Sequence, residues 1–142
     1  MSESESQNGI FLNGKQQVIE LLQAMNGAEK EKLLNNIGLK NAVMAQELRE
    51  KSFSFASLTH LPDSLLRDIF ERINPIIIGL ALYHAPISFQ RKVLSLIERP
   101  TAEKSFEILN QDLSSKRVEC KRAEEKIISV AIQMSRRHRV NL

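Results

Sequence analysis

The side chains able to do chemistry in this 142-residue chain are few and far apart. His60, His84 and His138 stand 24 and 54 residues from one another. None lies in a His-Glu-x-x-His helix or beside a Cys/carboxylate group with metal-ligand spacing. Cys120 is the single cysteine, which excludes an internal disulfide framework and a cysteine-based zinc site. No Gly-x-Ser-x-Gly elbow anchors a serine nucleophile, and no Gly-rich loop cradles a phosphate. The sequence therefore predicts no catalytic residue, no metal site and no cofactor, and the function class it favours is a binding or structural protein.

The one concentrated chemical feature is charge. From Ser114 onward the chain carries eight Lys/Arg and three Glu, a local balance of +5, whereas the whole chain is +3. Lys121, Arg122, Arg136, Arg137 and Arg139 form a candidate basic patch for an acidic partner, an anionic lipid or a nucleic acid. The competing reading is a solvated helix end whose cations suit the negative end of the helix dipole and pair with Glu119, Glu124 and Glu125. No aromatic residues interleave with the cations, which disfavours nucleic-acid stacking.

The elements that must carry these residues read as helices throughout. Four Pro, five Gly, no Trp and one Tyr disfavour a turn-rich sheet protein. A chain of this length buries roughly 70% of its unfolded surface and needs no covalent staple. Its polar start, with Glu3 and Glu5, is unlike an export signal. The longest apolar run, Ile76 to Leu82, is far short of the roughly 20 residues that span a bilayer. A cytoplasmic protein is the resulting expectation.

Residues 1–13 read as a flexible lead-in. A helix with Val18, Ile19, Leu21, Leu22 and Met25 on one face is expected to stop at Asn26-Gly27, a second over Ala28–Ile37 to stop at Gly38, and a third to bury Val43, Met44 and Leu48. Three short helices with two-residue breaks must fold back on one another, giving a three-helix unit over 14–51. Residues 52–61 form a connector in which Phe53 and Phe55, two positions apart, point opposite ways if extended. A helical module follows over 62–142. Pro62-Asp63-Ser64 starts its first helix, with Asp63 or Ser64 placed to cap. Asn74-Pro75 starts the next, apolar nearly all round and so expected in the middle of the module. Breaks at Ala85-Pro86, Arg99-Pro100 and Ser114-Ser115 separate three more, the last running to about Met134.

Several of these segments, in this order, resemble the FliG family, the flagellar motor switch proteins. Arg49-Glu50-Lys51-Ser52-Phe53-Ser54-Phe55 is similar to that family's basic Phe-X-Phe hinge. Leu61-Pro62-Asp63-Ser64-Leu65-Leu66-Arg67 is similar to its next helix start, Leu80-Ala81-Leu82-Tyr83-His84-Ala85 to its Leu-Ala-Leu-Lys-Gly-Ala segment, and Arg91-Lys92-Val93-Leu94-Ser95 to a later helix. The resemblance implies an all-α fold, an armadillo-like right-handed helical superhelix of a three-helix unit plus a six-helix C-terminal module. It covers only the C-terminal part of a full switch protein, without the domain that holds the membrane ring and without the Glu-His-Pro-Gln motif.

The resemblance also implies site residues. Phe53 and Phe55 become the hinge. The family's charged ridge, which faces the stator, falls on Tyr83 for its Lys, Pro100 for its first Arg, Glu107 and Ile108 for its acidic pair, and Lys116 for its last Arg. Only Glu107 and Lys116 keep the family's charge sign, so torque by charge complementarity is in doubt. The implied role is a scaffold of a flagellar or type III secretion basal body, peripheral at the inner face of the cytoplasmic membrane. Its partners would be rotor or secretion-base subunits, with self-association through apolar end faces. The alternatives are a stand-alone helical adaptor, or a basic helical domain acting through Lys116–Arg139.

Overall fold

The computed structural model describes residues 3–138, with side chains from Gly14 to Arg137. Among the described residues every regular element is helical. The chain divides into two compact units, residues 1–54 and 55–142, and the division falls between Phe53 and Phe55.

The first unit holds α1 (Glu3–Ala24), α2 (Gly27–Lys40) and α3 (Ala42–Ser52). The backbone of α1 begins at Glu3 and so takes in most of the expected lead-in; the side chains of residues 1–13 lie outside the described residues. Ile19, Leu22, Leu34 and Leu48 form the core, with Val18, Met25, Leu33, Ile37 and Met44 packed around it. This is the helical spacing of the sequence turned inward, α3 packing against both α1 and α2, except that Leu21, expected on the same face of α1, is exposed.

Two asparagines set the helix starts. Asn26 accepts from the Glu29 N–H and Asn41 from the Met44 N–H, both at 2.9 Å, each filling an otherwise orphan donor of the first turn. Gly38 does not stop α2, which runs on to Lys40. The glycine instead lies 3.6 Å (from the position of an added Cβ) from the Ala45 side chain, a packing contact between α2 and α3. Continuing the helix turns Leu39 outward, 87% exposed. Val43, expected inside, is 80% exposed because α3 begins later and in a different phase than the sequence suggested.

The second unit opens with a 3-10 turn (Phe55–His60), followed by α4 (Asp63–Glu71), α5 (Pro75–Leu82), α6 (Ile87–Leu96), α7 (Arg99–Leu109) and α8 (Arg117–His138). Phe70, Leu58, Leu66, Ile78, Leu82 and Ile127 are among its fully buried side chains. α5 is the central element, packed on α7 and α8, as expected of a helix without a polar face. It starts cleanly: Asn74 Oδ1 accepts from the Ile76 N–H at 2.8 Å, and Pro75 occupies the first turn, where no N–H is needed.

Its other end is closed by Gln90, whose Nε2 donates to the Leu82 and Ala85 carbonyls at 2.8 and 3.2 Å. Neither Asp63 nor Ser64 caps α4, whose N-cap residue is Pro62. Asp63 pairs instead with Lys92 of α6 at 3.1 Å, while Arg67 of α4 donates to the Leu96 carbonyl at the end of α6 at 3.1 Å. No helix among the described residues is long and apolar enough to cross a membrane.

Candidate functional site

The expected hinge residues have distinct surroundings. Phe53 is the C-cap residue of α3, extended at φ −72° and ψ 120°, and buried. Phe55 begins the 3-10 turn, and its ring meets Phe89 edge-on at 6.0 Å. Phe89 in turn meets Phe70 at 6.5 Å. Three rings in edge contact fix Phe55 to the core of the second unit.

The positions that the resemblance assigned to a charged ridge differ in burial and in place along the chain. Glu107 is exposed on α7, and Lys116 is exposed just before α8. No ion pair joins them among the described residues. Tyr83 is the C-cap residue of α5, its ring against His84 at 5.0 Å. Pro100 lies in the first turn of α7, so it opens that helix and does not break it. Ile108 is half-buried against Gly79 of α5.

The basic patch is spread along α8. Lys121, Arg122, Arg136 and Arg137 are all exposed, with the two pairs roughly 22 Å apart along the axis at the usual rise. Glu119 and Glu125 are exposed on the same helix. Arg139 lies outside the described residues. The inner face of α8 is apolar, through Cys120, Ala123, Ile127, Ala131 and Met134. Burial, with Glu124 and Glu119 nearby, pushes the Cys120 thiol above its ordinary value. A protonated, inaccessible thiol is a packing group and not a nucleophile.

Two gatherings escape sequence spacing altogether. His60, His84 and Glu124 come to one groove of about 360 Å³ with Phe55, Pro86 and Phe89; no group of three or more His, Cys, Asp or Glu side chains placed to hold a metal occurs among the described residues. Arg72, the C-cap residue of α4, reaches the end of α8 and shares a cleft with Arg137. Sixty-five positions separate these arginines, and no local motif links them.

The first unit has electrostatics of its own. Arg49, 9% exposed, forks onto Glu31, with Nη1 donating to Oε2 at 2.6 Å and Nη2 to Oε1 at 3.0 Å. That pair holds the Glu31 carboxyl below its ordinary value, while burial and the Arg49 charge lower the Lys30 ammonium. Glu47 accepts from Lys15 and Lys51, which bring its carboxyl down to about 2. An apolar cleft of about 270 Å³ lies nearby, lined by Val18, Ile37, Met44 and Leu48.

Residues 35–142 match a family model described as the FliG C-terminal domain. Among curated proteins the chain is similar to the flagellar motor switch protein FliG of Aquifex aeolicus (strain VF5), 23% identical over 129 residues, which is 91% of this chain and 39% of that protein. Among solved structures it is similar to full-length FliG from Aquifex aeolicus, with a TM-score of 0.54 at 23% identity, covering 86% of this chain and 38% of that one. The shared fold is all-helical and armadillo-like. The chain spans about two fifths of the length of these relatives.

Proposed function

Because the chain belongs to the FliG C-terminal domain family, we propose that it serves as a non-enzymatic scaffold of a flagellar rotor or of a type III secretion base, working by protein–protein assembly. The observation that carries this is the family match over residues 35–142, which takes in α3 and every element of the second unit. The surface supports it. Leu39 and Val43 stand almost fully exposed, and the apolar cleft of the first unit has no polar lining except Lys15 and the Gly14 backbone. Helical-repeat units leave such end faces for a neighbouring unit to cover. Self-association and contact with other basal-body subunits both follow.

In this reading Phe53 and Phe55 are the hinge, since the boundary between the compact units falls between them and a hinge is a short segment that absorbs backbone change between packed bodies. Torque by charge complementarity is weak, because Tyr83, Pro100 and Ile108 stand where the family places charge. The chain works in the cytoplasm, at the inner face of the membrane through its partners.

The test is crosslinking and co-purification from the native cell with the chain tagged at its own locus. Recovery of basal-body subunits in fixed stoichiometry is the expected result. Capture of a non-motor protein alone would replace the scaffold with a stand-alone adaptor. Salt-sensitive recovery of nucleic acid or anionic lipid would transfer the role to the basic face of α8.

A further inference from the structure

The last turns of α8 meet the C-terminal end of α4 in a cleft of about 190 Å³. Val130, Gln133, Met134 and Arg137 follow one another at i, i+3, i+4 and i+7, so one stripe of α8 supplies four of the lining residues. Arg72 supplies the fifth from α4. Met134 is 7% exposed and Val130 half-buried, which makes an apolar floor; Arg72, Gln133 and Arg137 are exposed around it. No carboxylate among the described residues lines the cleft. Among the described residues neither Arg72 nor Arg137 makes an ion pair, whereas Arg49 and Lys92 each sit on an acidic partner.

Two guanidinium groups on one small concavity, with no counter-charge among the described lining residues, present ten N–H donors by chemistry alone. Their planar forks match a carboxylate, and the aliphatic floor matches a neighbouring apolar side chain. We propose that this cleft binds an acidic peptide segment of a protein partner. An Asp or Glu carboxylate is held by Arg72 and Arg137, the Gln133 amide sits alongside, and an adjacent aliphatic side chain rests on Val130 and Met134. The cleft would accept such a segment whatever machine the chain serves.

A phosphate backbone or a bilayer fits less well. Either needs several cations on an open surface, whereas the further cations of α8, Arg117, Lys121, Arg122, Lys126 and Arg136, are spread over its whole length and share the exposed helix with Glu119 and Glu125. The volume suits one or two side chains, and among the described residues no aromatic ring lines it for a base to stack on.

The experiment uses the full chain, immobilised, against a random peptide library displayed on phage, with counter-selection on the Arg72→Gln, Arg137→Gln double variant. The expected result is enrichment of Asp or Glu next to Leu, Ile, Met or Val. Selected peptides should bind each single variant roughly tenfold to a hundredfold more weakly, the loss of one charge-assisted pair. Replacing their acidic residue by Gln should produce the same loss. Unchanged far-UV circular dichroism and melting of the exposed-site variants keep the comparison free of folding defects. Peptides without acidic enrichment, or binding that survives in the double variant, would overturn the proposal. So would vesicles containing phosphatidylglycerol, or a DNA duplex, binding the wild type and losing that binding in the double variant while no peptide does.

Discussion

At Gly79 a single added methyl group should have an effect out of proportion to its size. A Cβ added there would lie 2.6 Å from Ile108 Cβ, 2.8 Å from Ile108 Cγ2 and 2.7 Å from the Ser105 carbonyl oxygen. Carbon atoms in contact normally stand about 3.5–4.0 Å apart, so α5 and α7 would have to separate by roughly 1 Å. Two of the three obstructing atoms, a Cβ and a backbone oxygen, cannot rotate away. Overpacking of this kind costs about 1–3 kcal/mol, and rigid neighbours place it at the upper end. Alanine's better helix propensity returns about 1 kcal/mol. The net expectation for Gly79→Ala is a loss of about 2 kcal/mol, or a melting temperature lowered by about 8–16 °C for a unit of this size. Tyr83, the single tyrosine of the chain, lies at the end of α5 and reports on the second unit by its fluorescence during urea unfolding. Gly14→Ala is the internal control. It lies inside α1, its Cβ would meet nothing within 4 Å, and it should gain about 0.5–1 kcal/mol. In an Ile108→Ala background Gly79→Ala should cost less, because one obstructing atom is gone. A Gly79→Ala variant as stable as wild type would refute the close approach of α5 and α7.

Other expectations follow from the same geometry. Glu31→Gln leaves the buried Arg49 without its charge partner; because Glu31 itself is 44% exposed, the loss in urea unfolding should be about 1–2 kcal/mol, below the several kcal/mol of a fully buried pair. Glu47, drawn down to about 2 from 4.5 by Lys15 and then Lys51, contributes stability that is complete above pH 4.5 and is lost as the pH falls through about 2. The stability gap between wild type and Glu47→Gln should therefore close across that window, and a gap that is constant with pH would remove the ion pair as its cause. Phe89→Ala deletes the ring that meets both Phe55 and Phe70 and should cost about 3–5 kcal/mol, read by Tyr83 fluorescence. Asn74→Ala removes the cap of α5 and should cost about 1 kcal/mol.

The sequence was most legible where apolar spacing and proline punctuation agree. Asn74-Pro75, Ala85-Pro86 and Arg99-Pro100 each stand at the start of a helix, because proline is tolerated in a first turn and almost nowhere later. It is least legible at glycine, where a helix stop and a close packing contact look alike. Gly38 lies within α2 and serves the packing of Ala45, and a missing side chain gives no sign of whether it ends a helix or admits a neighbour. Val43 faces outward for a related reason: α3 starts at Ala42 behind the Asn41 cap, and a shift of start changes which residues face inward. Charge was legible as composition and not as a site. The +5 balance after Ser114 was plain, yet the arginine that joins Arg137 comes from the end of α4, and only the fold brings residues 72 and 137 together.

Ile108 connects the packing to the proposed loss of torque. The resemblance places an acidic ridge residue near this position, but here the side chain is half-buried and covers Gly79 at less than ordinary contact distance for any added Cβ. A carboxylate in its place would be partly desolvated beside the Ser105 carbonyl oxygen, an acceptor that offers it no hydrogen bond. The tight α5–α7 contact and an acidic side chain at 108 are thus in competition for the same space. Ser105, fully buried with its hydroxyl donating to the Thr101 carbonyl at 2.7 Å, has its donor already committed and cannot relieve that carboxylate. A branched aliphatic side chain at 108 fills the joint between α5 and α7, which a carboxylate would loosen.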